Sequence, residues 1–290
     1  MEDYRTISTI LNIVHNICAN TEVCYMKMKR TIIAFDIDGT LEEYGGTVSR
    51  VTIEKLKPLA HVGICSSRGD SWSIAKKYGL GFGKTGKSTC LYQFKKQWGK
   101  DCVGFLYIAD TKADEVEAKK SGFNFVYAQN IKLNLGCGND IRFGYINIDI
   151  RPLKGVNLVL DLENQSLPFQ DNLVSEIVAQ DIIEHVSYYK VENLLKECFR
   201  VLKPKGTIYI RTPDLEQIYV KAVVEKQTLG DKKGYKLLSY WIFGGFKNPY
   251  DYHKCIFTKE LLKELLEEIG FKVVKLSNDN SNIVCKAYKP

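Results

Sequence analysis

Short apolar runs rich in Ile, Val, Phe and Leu recur along the chain: TIIAFDI from Thr31, HVGICS from His61, FLYIAD from Phe105, FNFVYA from Phe123, IKLNLG from Ile131, YINIDI from Tyr145, LVLDL from Leu158, EIVAQD from Glu176 and TIYIRT from Thr207. Longer stretches of helical period separate most of them. Continuous apolar runs of this length suit strands buried on both faces, and their alternation with helices predicts an α/β chain wound on parallel sheets. FNFVYA and IKLNLG stand back to back with only Gln129 and Asn130 between them. A domain boundary is expected there, giving one α/β domain over 30–129 and a second over 130–290, rigidly apposed. Residues 1–29 read as an N-terminal extension, with an amphipathic helix over ISTILNIVHNIC at 7–18.

The 290 residues suit two domains, and 45% apolar with 26% charged residues is ordinary for a globular protein. The net charge of +7 is spread over both halves. That pattern favours anionic small molecules over a nucleic-acid groove. Nine scattered cysteines without a CxxC pair point to a reduced, cytoplasmic setting without structural zinc. No run reaches the roughly 20 apolar residues of a membrane span.

Candidate chemistry lies at the ends of the strand-like runs. Asp36 and Asp38 follow the first, Ser66 the second and Asp110 the third, with Asp114 four residues on. Carboxylates at the carboxyl ends of parallel strands point into the crevice where such sheets bind ligands. Between them, GFGKTGKST at 81–89 fits the phosphate loop G-x-x-x-x-G-K-[ST] through Gly81, Gly86, Lys87 and Ser88. That reading needs a strand running into Gly81, whereas IAKKYGL before it reads as a helix end and a turn. It also leaves Asp36, Asp38 and Ser66 unexplained.

Together these residues resemble the four motifs, in order, of the haloacid dehalogenase superfamily of phosphohydrolases. The resemblance implies that Asp36 is a nucleophile forming an aspartyl phosphate and Asp38 the acid/base on the leaving oxygen. Ser66 and Lys87 would hold the phosphoryl oxygens, with Lys84 as the alternative lysine. The Mg²⁺ ligands would come from Asp36, Asp38, Asp110 and Asp114. Family members usually have Gly-Asp where this chain has Ala109-Asp110. Only 27 residues separate Asp38 from Ser66 and 20 separate Ser66 from Lys87, too few for a cap domain.

In the second half, Gly136-Cys137-Gly138-Asn139 end a strand in a glycine-rich turn, Asp149 ends the next strand, and Asp161-Leu162 close LVLDL. Ile141 stands where a GxGxxG dinucleotide fingerprint needs its third glycine, which argues against NAD. From about Ile131 onward this order resembles class I S-adenosylmethionine-dependent methyltransferases, especially the type 11-like enzymes associated with sugar and polysaccharide pathways. By that resemblance Gly136, Cys137, Gly138 and Asn139 approach the methionine moiety, Asp149 holds the ribose, and Asp161 with Leu162 the adenine. His185, after EIVAQD, is the candidate base; the alternative is that it orients the following helix. PYDYHK at 249–254 reads as a lid or acceptor platform, or as a plain surface loop.

The expectation is a capless phosphatase fused to a methyltransferase, both acting on small-molecule or glycan substrates, with S-adenosylmethionine and Mg²⁺ as cofactors. Two alternatives remain at this point: a nucleic-acid-modifying phosphatase/methyltransferase, and an N-terminal half that binds nucleotides through a P-loop.

Overall fold

Strands β1 (Thr31–Phe35), β2 (His61–Ile64), β3 (Gly81–Phe82), β4 (Gly104–Ala109) and β5 (Asn124–Tyr127) form one parallel sheet in the order β3-β2-β1-β4-β5. Along β1 alternate residues enter different clusters. Ile33 and Phe35 join one with Ile53, Leu56 and Tyr78, while Ile32 and Ala34 join another with Leu91 and Phe94. A strand covered on both faces therefore needs the continuous apolar run that the sequence supplies. Helices α1 (Arg50–Leu56), α2 (Ser71–Tyr78), α3 (Lys87–Trp98) and α4 (Lys112–Ser121) make the crossovers. Between β1 and β2 the chain holds only α1, a 3₁₀ turn at Glu42–Tyr44 and a bridge from Leu41 to Val48.

The structure is a computed structural model that describes residues 30–83 and 86–290. The helix expected over 7–18, the extension over 1–29 and Lys84 lie outside the described residues.

A 3₁₀ turn, Ala128–Asn130, leads straight from β5 into the second sheet. That sheet contains β6 (Ile131–Leu135), β7 (Ile146–Asp149), β8 (Leu158–Val159), β9 (Val174–Gln180), β10 (Leu202–Pro213), β13 (Lys272–Asp279) and β14 (Asn282–Tyr288). Their order is β13-β14-β10-β9-β6-β7-β8. Five strands are parallel, but β14 runs antiparallel to β10, and β13 antiparallel to β14. The sheet is thus mixed rather than purely parallel. The sequence hides this because β13 is an exposed edge strand carrying Lys272, Lys275 and Asp279 on a polar face, with no apolar run to mark it. Helix α5 (Val191–Val201) packs on this sheet through Val191, Leu194, Leu195, Cys198 and Val201, an apolar stripe of helical period. Helix α6 (Leu215–Tyr219), a small hairpin of β11 (Thr228–Leu229) and β12 (Lys232–Lys233), α7 (Tyr235–Phe243) and α8 (Lys259–Ile269) complete the chain.

The two halves share one core. A single apolar cluster runs from Ile33 and Phe35 through Val126 and Ile131 to Ile148 and Ile208. Polar contacts fix the seam. Gln170 Oε1 accepts from the Ser49 amide at 2.8 Å and from Thr52 Oγ1 at 2.9 Å, while its Nε2 donates to Thr47 O at 3.0 Å. The Gly155 amide donates to Val103 O at 2.8 Å. Gly104, at the start of β4, lies so close to Val156 that a β-carbon there would sit 1.7 Å from the Val156 carbonyl oxygen. Only a residue without a side chain fits.

Removing the Gln170 side chain would orphan the part-buried Ser49 amide and the Thr47 carbonyl. Gln170→Ala is expected to destabilise the chain by about 2–3 kcal/mol, lowering Tm by roughly 5–10 °C. A thermal-unfolding scan showing no change would mean that the seam does not rely on this residue.

Candidate functional site

The first cluster sits at the carboxyl edge of the first sheet, where Asp36 follows β1 and Asp110 follows β4. Carboxylate oxygens of Asp36, Asp110 and Asp114 lie within 4.8 Å of one another. Lys87, the first residue of α3, donates its ammonium to Asp36 Oδ2 at 2.9 Å and also to Asp114 Oδ1. Asp114 is wholly buried. Its other oxygen accepts from Thr111 Oγ1 and the Thr111 amide in a capping box that starts α4. Both Asp114 oxygens are therefore engaged in holding the lysine and the helix. Asp36 is only 4% exposed, and its buried Oδ1 has no hydrogen-bond donor among the described residues. Burial, together with the facing carboxylates of Asp36 and Asp114, pushes the Asp110 carboxyl above its ordinary range. Burial alone would lower the Lys87 ammonium, but the bonds to Asp114 and Asp36 outweigh it and raise its pKa. Crowded carboxylates, one with a buried oxygen unpartnered among the described residues, fit a hard divalent cation.

Asp38 stands apart from this group. Its side chain is exposed and accepts from Arg68 Nη1 at 2.7 Å. Ser66 lies two residues past β2, where its Oγ accepts weakly from the Arg68 amide at 3.4 Å. Gly81 opens the short strand β3, preceded by the end of α2 and a turn at Gly79. The Lys87 charge is already neutralised by two carboxylates, an arrangement that the phosphate-loop reading does not call for.

The second cluster surrounds a cavity of about 480 Å³ at the carboxyl ends of β6 to β9. Gly136, Asp149, Asp161, Leu162 and His185 line it, as do Arg151, Asp181, the stretch from Asn248 to Tyr252, and Lys254. Gly136 and Gly138 have φ of +60° and +52°, the left-handed region that glycine enters without strain. The Gly138 amide donates to Asp149 Oδ2 at 2.7 Å, tying the glycine turn to the end of β7. Asp149 Oδ1 accepts from the Arg151 amide at 2.8 Å and from Arg151 Nε at 3.0 Å. Asp161 Oδ1 accepts from the Glu163 amide at 2.9 Å, so this carboxylate also shapes its own turn. Cys137 is buried beneath the turn, its thiol pushed up to about 12 by burial and the Asp149 charge, while Asn139 is exposed; neither lines the cavity.

Residues 129–276, just over half of the 290, match the family model described as a methyltransferase domain. The chain belongs to that family. It is an S-adenosylmethionine-dependent methyltransferase with a Rossmann-like α/β fold. Solved structures that it resembles include an S-adenosylmethionine-dependent methyltransferase from Methanosarcina mazei, 15% identical, with 92% of this chain and 96% of that one covered at a TM-score of 0.33. Another, from Clostridium acetobutylicum, is 12% identical, with 56% and 84% covered at 0.38. The 1,6-didemethyltoxoflavin-N1-methyltransferase of Burkholderia thailandensis, solved with S-adenosylhomocysteine, is 14% identical, with 55% and 70% covered at 0.37. No curated protein sequence matches the chain.

In this methyltransferase the 244–254 loop is bound to the cavity rim. Lys254 pairs with Glu163, and the Lys254 amide donates to Glu184 O at 2.7 Å. His185 Nδ1 lies 3.0 Å from Tyr252 O. A carbonyl can only accept, so Nδ1 carries the proton and Nε2 keeps its lone pair. Burial lowers the pKa of His185 and raises that of Glu184 to about 8. The sequence reading missed Arg151 and Asp181. Arg151 sits two residues beyond Asp149, close enough to suggest the pairing. Asp181 has φ +52° and pairs with Arg211 on the neighbouring strand, a partner that no local pattern reveals.

Replacing Lys87 with methionine leaves Asp36 and Asp114 buried without their cation. Lys87→Met is expected to destabilise the protein by about 3 kcal/mol, read from urea unfolding at pH 7. An unchanged midpoint would mean that the buried carboxylates do not need the ammonium.

Proposed function

We propose that the chain is bifunctional: residues 130–290 methylate a hydroxyl of a small-molecule or glycan acceptor, and residues 30–129 form a haloacid dehalogenase-like phosphohydrolase domain. In the methyl-transfer half, the glycine turn at 136–139 receives the methionine moiety of the donor. Asp149 accepts from the ribose hydroxyls and Asp161-Leu162 border the adenine. What supports this is the position of Gly136, Asp149, Asp161 and Leu162 around one cavity at the ends of successive strands. Arg151 must yield part of its hold on Asp149 when the ribose arrives. Tyr250 and Tyr252 in the same wall offer faces on which a sugar ring can stack, and His185 Nε2 has a free lone pair with which to take the acceptor proton.

In the phosphatase half the carrying observation is the convergence of Asp36, Asp110, Asp114 and Lys87. Asp36 attacks phosphorus, and the leaving oxygen departs with a proton from Asp38 once that side chain is released from Arg68. Water then cleaves the aspartyl phosphate. Ser66 and Lys87 bind the phosphoryl oxygens. Asp36 and Asp110, with Asp114 within 4.8 Å, would hold Mg²⁺, which would supply the positive charge that lets a carboxylate approach a phosphate; Asp38 would join them only on leaving Arg68.

S-adenosylmethionine should raise Tm in a concentration-dependent way, and Asp149→Ala should weaken its affinity by tenfold or more. Calorimetry giving equal affinity in the two proteins would remove the ribose role. Independently, Mg²⁺-dependent hydrolysis of an aryl phosphate should be lost in Asp36→Asn while donor binding persists. Turnover that survives the substitution would remove the nucleophile assignment.

A further inference from the structure

Beside the donor cavity His185 belongs to a group whose other members, Glu184 and His253, methyl transfer by a free imidazole does not use. One ligand-type atom from each of Glu184, His185 and His253 lies within 4.8 Å of the other two. The two rings pack edge to face, with centroids 4.9 Å apart. His253 repeats the arrangement of His185, its Nδ1 lying 3.1 Å from Trp241 O. Both histidines therefore carry their proton on Nδ1, donate it to a backbone carbonyl, and keep an Nε2 lone pair. Metal-binding histidines are oriented in this way, the second ring nitrogen being fixed by a carbonyl or carboxylate.

The third member strengthens the case. Glu184 is 1% exposed, and Thr212 Oγ1 donates to its Oε2 at 3.0 Å. Among the described residues, no lysine or arginine forms an ion pair with it. A buried carboxylate without a cation is unfavourable. Bonds from the Lys254 and Cys255 amides to Glu184 O, at 2.7 and 3.3 Å, hold the His253 segment against the turn bearing Glu184 and His185. The three groups are thus fixed relative to one another by backbone contacts, although they come from segments far apart in sequence.

We propose that Glu184, His185 and His253 bind one divalent transition-metal ion at the wall of the methyl-transfer cavity, where it holds the acceptor hydroxyl. Two imidazoles and one carboxylate suit zinc, iron, cobalt or manganese better than magnesium. Three protein ligands leave open positions, and His185 places them beside the cavity. The inference rests on the methyl-transfer reading and replaces a free His185 base with a metal-held oxygen. The acceptor O–H releases its proton to solvent, and the oxygen lone pair forms the C–O bond. The S–C bond of the donor breaks with its electron pair returning to sulfur, leaving S-adenosylhomocysteine and a methyl ether.

The test uses the full chain carrying Asp110→Asn, so that the acidic group of the first half is weakened, stripped with chelator and titrated with Co²⁺. One Co²⁺ per chain is expected, with the visible absorption of nitrogen ligation. His253→Ala and Glu184→Gln should each weaken binding by at least tenfold. His253 does not line the donor cavity, so the stabilisation given by S-adenosylmethionine should persist in His253→Ala; if it is lost, His253→Gln is read in its place. No Co²⁺ bound by the parent, or the same affinity and spectrum in the folded His253 variant, overturns the proposal. A donor that stabilises none of these proteins would instead sink the methyl-transfer reading, and the Co²⁺ titration is read independently of it.

Discussion

Three residues, Ala128–Asn130, carry the chain from the last strand of one sheet to the first strand of the next. A turn this short leaves no slack, so the two sheets have to share an apolar surface instead of each closing its own. The result is a continuous core from Ile33 to Ile208, sealed at the seam by Gln170 and by the contact of Gly104 with Val156. Gln129, inside the turn, donates to Asp110 O at 3.1 Å and accepts from Lys203 at 2.9 Å. The junction therefore touches the acidic cluster directly.

Each sheet gathers its chemistry at the carboxyl ends of its strands, for the same reason. Parallel strands present their ends to a common crevice, and side chains just beyond the last ladder bond are free to converge. The two crevices handle buried charge differently. In the first, Lys87 neutralises two carboxylates and Asp36 keeps an oxygen without a donor among the described residues. In the second, Asp149 is saturated by Arg151 and the Gly138 amide, and Glu184 is buried without a cation among the described residues.

Much of this was readable in the chain because strand-end carboxylates and glycine turns are local signals. Asp36, Asp110, Gly136, Asp149 and Asp161 each follow an apolar run that the eye can find. What escaped depends on tertiary partners. The strand β3 is two residues long, too short for any periodicity, and β13 is an exposed edge whose pairing is decided by β14. Asp114 reads as one more acidic ligand, yet Lys87 and Thr111 occupy both its oxygens. The meeting of His185 with His253 depends on a loop whose course is set by Lys254 binding Glu163, and nothing in either sequence neighbourhood announces it.

The close approach of Gly104 to Val156 also bears on how such a chain can be taken apart. A seam formed by bare backbone on one side and a carbonyl on the other works like a key cut for one lock. Neither half can be transplanted into another protein as a ready-made module. The receiving chain would need its own glycine at that point and its own counterpart to Gln170, or the exposed strip of core would be left facing water.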